Sequence, residues 1–404
     1  MRASDLQPIG AGLVGAITGF GSSFAIVVAG LQAVGASPAE TASGLLVLSV
    51  LQGVLGIIFG LRFRMPLSFA WSTPGAAVLV AAHATTGDFR AAVGAFVLCG
   101  VLLLVTGLWP ALARAVTRIP KPIASAMLAG ILFPICIAPV LAAVEMPALG
   151  LPVAIAWLVF ARLAPRWAVP AAVVALIVVV IVSGEGAELA TASIVPVLAI
   201  TWPVFDPIVL VSLGLPLYVV TMAGQNVPGF EVLRTFGYPH PPARAILTGA
   251  GAATLAGSLF GAYALNLAAI TAAMMAGPDA HPDRDRRWIA TVTAGIAYVV
   301  MGLGAGAATA LVAVTPPLLI TAVAGLALFG AFATATTGAL EEAATRIVAV
   351  VTFLVVASQM AVAGIGSAFW GLVVGGVVML WLTGLRRMRR PRAAGPSAAG
   401  PSGA

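Results

Sequence analysis

Residues 64–83 read RMPLSFAWSTPGAAVLVAAH, and residues 258–277 read SLFGAYALNLAAITAAMMAG. Both runs are apolar enough for a bilayer interior, yet neither reads as an uninterrupted helix. In the first, Pro66, Pro74 and Gly75 break the pattern, so Ser68 to Ser72 are read as extended. A helix is expected after Trp71, with Ser72 or Thr73 as N-cap and Pro74 in the first turn. In the second, Gly261 opens an irregular stretch and Asn266 is read as the cap of a half-helix. Irregular backbone at membrane depth is tolerated only where protein buries it or where it lines a cavity. Two readings stand here: kinks without a ligand, or two half-helices whose N-termini offer free N–H groups and positive dipole ends to an anion.

The surroundings of these runs place the chain in a membrane. Of 404 residues, 61% are hydrophobic and only 8% are charged, against roughly 25% charged in a soluble domain. Mean hydropathy is +1.10. The net charge of +7 sits in short basic clusters between apolar runs, which is the pattern of membrane loops and not of a nucleic-acid surface. Cys99 and Cys136 lie in apolar runs, and His83, His240 and His281 are scattered. No disulfide framework, metal site or catalytic constellation is expected, and no cofactor.

A crossing helix needs about 20 apolar residues. Spans are placed near 9–35, 41–60, 66–84, 91–109, 122–141, 148–163, 167–183, 208–229, 244–260, 264–277, 288–311, 316–338, 345–363 and 367–384. The third and tenth are short and contain the two broken runs. With fourteen spans and both termini cytoplasmic, nineteen of the twenty lysines and arginines fall inside and only Arg90 falls outside. An all-α polytopic protein with a 7+7 inverted repeat follows: residues 1–183 as the first half, a polar connection at 184–207, the second half at 208–385, and a basic, disordered tail at 386–404. An offset of 195 residues supports the repeat, pairing Gly19 with Gly214, Gly56 with Gly251, Gly100 with Gly295, Gly107 with Gly302 and Gly130 with Gly325.

The polar residues inside spans are the site candidates. Span 8 carries Gln225 and Asn226 in LYVVTMAGQNVPGFEVLRTFGY (217–238). These amides either bond across helices or contact a substrate. Span 1 carries Phe20, Ser22, Ser23 and Phe24 in GFGSSFAIV (19–27), which serve either close packing or a ligand. All thirteen acids lie at or beyond span ends, with Glu40, Glu145, Asp206 and Glu231 nearest the hydrocarbon. A cation carrier needs a carboxylate at its site, and an anion carrier is repelled by one. The cargo is therefore read as an anion.

Several stretches resemble the benzoate/proton symporter family, BenE. They are TGFGSSFAIVVAGLQAVG (18–35), MPLSFAWSTPGAA (65–77), IPKPIASAMLAGILFPI (119–135), QNVPGFEVLRTFGY (225–238), NLAAITAAMMAG (266–277), PDRDRRW (282–288) and GIGSAFWGLVVGG (364–376). The resemblance implies a bacterial inner-membrane carrier that imports benzoate with protons. It also implies a fold similar to the uracil-permease group, with short β-strands in spans 3 and 10 between a core and a gate domain, and homodimers are common in that fold. Carried over by position, the substrate region is Ser68 through Gly75 and Tyr263 through Ile270. Together with the polar residues of spans 1 and 8, the candidate substrate residues are Ser22, Ser23, Phe24, Trp71, Ser72, Thr73, Gln225, Asn226, Tyr263 and Asn266. Nucleobase carriers of that fold hold their base with an acid in span 8, where this chain has Gln225 and Asn226. The departure suits a carboxylate cargo and leaves the proton-carrying group open among Glu40, Asp206, Glu231 and a water path. Another organic or inorganic anion, or a nucleobase, on the same scaffold is the alternative. A membrane-embedded enzyme finds no nucleophile–base pair here, and paired broken spans suit alternating access better than a channel.

Overall fold

The computed structural model describes residues 3–82, 87–109, 111–112, 119–185, 196 and 198–389. The first half of the chain folds as α1 (Ala3–Ala33), α2 (Pro38–Phe63), β1 (Phe69–Trp71), α3 (Thr73–Ala81), α4 (Phe89–Leu108), α5 (Lys121–Glu145), α6 (Pro147–Leu163) and α7 (Ala168–Val180). The second half folds as α8 (Pro207–Thr235), α9 (Ala243–Ser258), β2 (Leu265–Leu267), α10 (Ile270–Ala276), α11 (Trp288–Gly302), α12 (Ala305–Val314), α13 (Pro317–Leu340), α14 (Arg346–Ala357) and α15 (Ser367–Arg389). Among the described residues, seven helices are long and apolar enough to cross a bilayer, or eight if α11 and α12, bent by 56° at a short break, count as one. Residues 386–389 continue α15, and the rest of the expected tail lies outside the described residues, as do His83, Arg114 and Arg118.

Sequence chemistry accounts for the ends of these helices. Ser37 and Glu40 form a reciprocal capping box at the start of α2, and Asp88 and Asp206 cap α4 and α8. Arg64 closes α2 in the left-handed conformation. In α8 the turns widen at Leu210–Gly214 and again at Met222–Asn226. Each widening lies just before or at a proline, Pro216 or Pro228, whose ring crowds the carbonyl four residues back and whose nitrogen donates nothing.

The broken runs meet. β1 and β2 pair antiparallel, with Phe69 opposite Leu267, Ala70 opposite Asn266 and Trp71 opposite Leu265. Ser72 N–H to Ala264 O (3.0 Å) and Ala268 N–H to Ser68 O (2.8 Å) extend the ribbon at both ends. Ser72 caps α3 through its hydroxyl, which accepts the Gly75 N–H at 3.1 Å. Gly261 (φ +89°) makes the turn into the second run, where a side chain would press on the Glu40 carbonyl and the Gly44 backbone. One expectation fails: Asn266 caps nothing. It sits inside β2, its amide oxygen accepting from Ser72 N–H and its nitrogen donating to the Leu267 carbonyl, both at 3.0 Å, while α10 starts later, after Ala269.

Around the ribbon, α2 packs on α11, α4 on α9, and α1 on α3 and α11, whereas α5 packs on α13 and α14, α6 on α7, and α14 on α15. Glycines set the closest contacts. A methyl at Gly53 would strike the Gly295 carbonyl, and one at Gly295 the Gly53 carbonyl. Gly56 faces the Gly295 Cα and Gly251 faces the Gly100 carbonyl; Gly107 faces Arg244 O and Gly302 faces the Ser49 side chain. Such small-residue seams let helix backbones approach closely in lipid. Replacing Gly53 with valine should lower stability by about 1–3 kcal/mol through overpacking. Gly376→Ala, where a methyl meets nothing within 4 Å, should leave the thermal midpoint in detergent unchanged or slightly raised. Equal midpoints for both variants would show that the α2–α11 seam is not tightly packed.

Candidate functional site

An antiparallel pair of short strands leaves outward-facing N–H groups on both edges, and in a bilayer each needs an acceptor. Four side chains supply them. Gln52 Oε1 on α2 accepts from Trp71 N–H (2.8 Å), and Thr254 Oγ1 on α9 accepts from Leu265 N–H (3.0 Å). From the second wide turn of α8, Asn226 Oδ1 accepts from Leu267 N–H (2.9 Å) and Gln225 Oε1 from Ala269 N–H (3.3 Å). Tyr263 donates its hydroxyl to Ser72 O (2.9 Å), and Thr221 donates to the Ser72 hydroxyl (2.8 Å). Ser68 and Thr271 hydroxyls bond across the ribbon at 2.9 Å.

A small cavity of about 60 Å³ lies against this ribbon. Thr18, Ser22 and Ser23 of α1, Gln52 of α2, Trp71, Thr73 at the start of α3, Gln225 of α8, Thr271 and Met274 of α10, and Tyr298 of α11 contribute to its wall. Residues from the start of both half-helices thus reach one space. Among the described residues no charged side chain lines it. The Trp71 indole donates to Ser23 Oγ (2.9 Å), which donates to Gly19 O (2.7 Å). Phe20 bridges Phe24 and Trp71, stacked on the first at 5.8 Å and edge-on to the second at 5.5 Å between ring centroids. A second cavity, about 200 Å³, is lined by Gln7, Gly10, Ala11, Val14, Arg166 and Asp279, and it shares Met274 with the first. Arg166 and Asp279 form an ion pair at 2.9 Å there.

Of the residues singled out from sequence, Ser22, Ser23, Trp71, Thr73 and Gln225 come together on the cavity wall. Phe24, Ser72, Asn226, Tyr263 and Asn266 do not; they are buried behind it, the last four holding the ribbon or the start of α3. Thr18, Gln52, Thr271 and Tyr298 were not anticipated. Gln52 had one available signal, as an amide in the middle of an apolar span. The acids stay at segment ends: Glu40 in its capping box with Thr201 donating at 2.7 Å, Asp206 as a cap, and Glu231 paired with Arg234. Buried Arg287 of the PDRDRRW stretch donates to the carbonyls of His281 (2.7 Å) and Ala276 (2.6 Å), closing α10. Among the described residues no three His, Cys, Asp or Glu gather as metal ligands.

The benzoate membrane transport protein family, BenE, matches residues 3–381. The inner membrane protein YdcO of Escherichia coli K12 is 38% identical over 93% of this chain and 96% of its own. A benzoate membrane transport protein of Acinetobacter baylyi is 32% identical over 81% of this chain and 83% of its own. Among solved structures, the transmembrane domain of a cyanobacterial bicarbonate transporter, BicA, superposes with a TM-score of 0.56 at 15% identity, covering 92% of this chain and 98% of that one. The last likeness is one of fold. The chain belongs to the BenE family and is a multi-pass membrane transport protein, not an enzyme.

Removing the Asn226 amide leaves the Leu267 N–H buried without an acceptor, at a cost of about 1–3 kcal/mol. Asn226→Ala should therefore lower the thermal midpoint of the purified protein in the absence of any substrate. An unchanged midpoint would show that Asn226 does not hold the ribbon.

Proposed function

We propose that this transporter imports benzoate, or a closely related aromatic carboxylate, across the bacterial inner membrane by proton symport with alternating access. The observation that carries the reading is the uncharged cavity, where donors from α1, α2, α3, α8 and α10 surround a space flanked by the rings of Trp71 and Tyr298. A monoanionic carboxylate finds hydrogen-bond donors there, with no acid to repel it. A doubly charged anion would want basic side chains, and the described residues of the wall include none. The relative named for benzoate transport supports the cargo.

In this reading the carboxylate lies near Thr73 and Thr271, where the two half-helices begin, and the ring lies against Trp71 and Met274. Ser22, Ser23 and Gln225 complete the contact. About 60 Å³ is well below the roughly 300–1,000 Å³ of ligand clefts. Loading a six-membered ring therefore requires the surrounding helices to part, which supports alternating access.

The architecture we assign is fourteen crossings in two inverted halves, residues 1–183 and 208–385, joined by 184–207, with both termini cytoplasmic. The glycine seams support it. An offset of 195 carries Gly56 to Gly251 and Gly295 back to Gly100, so the Gly56–Gly295 contact has its counterpart in Gly251–Gly100. The Gly107–Arg244 contact likewise has its counterpart in Gly302–Ser49. The packing of α1 to α4 with α8 to α11 supports a core domain, and that of α5 to α7 with α13 to α15 a gate domain. Benzoate is nearly all ionised at neutral pH, so symport needs a proton route, for which Glu40, Asp206, Glu231 and a water path are the candidates.

Uptake of labelled benzoate into proteoliposomes, with and without an inward proton gradient, tests the reading. Empty liposomes are the needed control, because benzoic acid crosses lipid unaided. Gradient-driven, protein-dependent uptake that unlabelled benzoate competes away is the expected result. Its absence from a folded preparation would move the cargo to another anion. Gln225→Ala should raise KM about tenfold if its amide touches the carboxylate, and an unchanged KM would confine Gln225 to the ribbon.

A further inference from the structure

Gln52 sits in the middle of α2, 1% exposed, on the cavity wall. Its Oε1 accepts the Trp71 backbone N–H at 2.8 Å. That bond settles which way the amide faces, because the reverse orientation would set two donors against each other. The nitrogen is therefore held off the ribbon, and Nε2 is buried with no partner among the described residues. Among the described residues five buried side-chain polar atoms share that condition, and two of them, Gln52 Nε2 and Thr18 Oγ1, belong to residues that line this one cavity. Thr18 is itself unusual. Thr106, Thr254, Thr309, Thr315 and Thr352 turn their hydroxyls back onto the carbonyl four residues earlier, and Thr18 does not.

We propose that Gln52 is a specificity-determining residue of the transport site, its carboxamide nitrogen donating to the carboxylate of the cargo, with the Thr18 hydroxyl as a second donor. The inference rests on the reading of this cavity as the substrate site and adds the group that reads the cargo's charge. The two ends of the amide do separate work. The oxygen holds Trp71, one residue ahead of the α3 cap, and the nitrogen is a donor that no group among the described residues satisfies. The matching ligand is acceptor-only at that point: a carboxylate, and not a carboxamide turned nitrogen-first. A glutamate at position 52 would still accept from Trp71 N–H, yet it would set a second acceptor, or a negative charge, against the carboxylate.

The test is equilibrium binding of labelled benzoate to purified wild type, Gln52→Glu and Thr18→Val, with benzamide as competitor and thermal unfolding measured without ligand. Gln52→Glu is expected to keep a wild-type-like unfolding midpoint and to lose benzoate affinity about 10- to 100-fold. Benzamide should become the better competitor against that variant. Thr18→Val leaves the Trp71 bond in place and should lose about tenfold, which keeps the inference open to refutation if Gln52→Glu does not fold. Wild-type binding with both folded variants within twofold of it would overturn the assignment of these donors and leave the cargo reading intact. Absence of benzoate binding to folded wild type would overturn the cargo reading and the assignment together.

Discussion

Inside a bilayer, a backbone N–H without an acceptor is too costly to leave, and this fold is organised around two places where the helix cannot supply one. Pro66 and Pro74 in one run and Gly261 in the other end the helical ladder at membrane depth. The two interruptions satisfy each other as a three-residue antiparallel ribbon. Its outer edges are then served by Gln52, Thr254, Gln225 and Asn226, from three different helices. Those bonds place α2, α8 and α9 around the ribbon, and the glycine seams bring α11 and α4 in behind them.

The donor–acceptor asymmetry of a carboxamide joins this structural need to the transport chemistry. The ribbon edges require acceptors, whereas the anionic cargo we propose requires donors. In the proposed role Gln52 meets both at once, its oxygen accepting from the ribbon and its nitrogen left to donate to the cargo. A carboxylate in the same place would serve the ribbon and reject the anion. On that proposal, the lack of charged groups among the described residues of the cavity wall and the amides on its edge are two aspects of one requirement.

Much of the architecture was legible in the sequence because it depends on local chemistry. Composition placed the chain in a membrane, and Pro66, Pro74 and Gly75 marked the break in the third segment. The sequence predicts Ser72 or Thr73 as N-cap of α3, and Ser72 is the cap. The site was legible only in part. Gln225 and Asn226 are neighbours in sequence and equally polar, yet one lines the cavity and the other is wholly enclosed. Which of them reaches the cavity depends on a widened turn in α8 and on strand atoms some forty residues away, neither of which a hydropathy pattern contains. Asn266 looked like a cap because asparagine before a helix commonly is one, but its partner, Ser72, is almost two hundred residues distant. Gln52, Thr18 and Tyr298 were missed for the same reason: nothing in an apolar helix tells which side its few polar groups will face.

The ribbon also imposes an order of events on the making of the protein. β1 is translated early in the chain, and its partner strand follows only nearly two hundred residues later. Throughout that interval Trp71 can meet Gln52, which is already present, but the opposite edge of β1 has no mate. In a bilayer that edge needs some other hydrogen-bonding partner until Leu265–Leu267 arrives. The cavity comes into being only when both strands are present, since its wall draws on Ala70, Trp71 and Thr73 from one run and on Ala268, Thr271 and Met274 from the other.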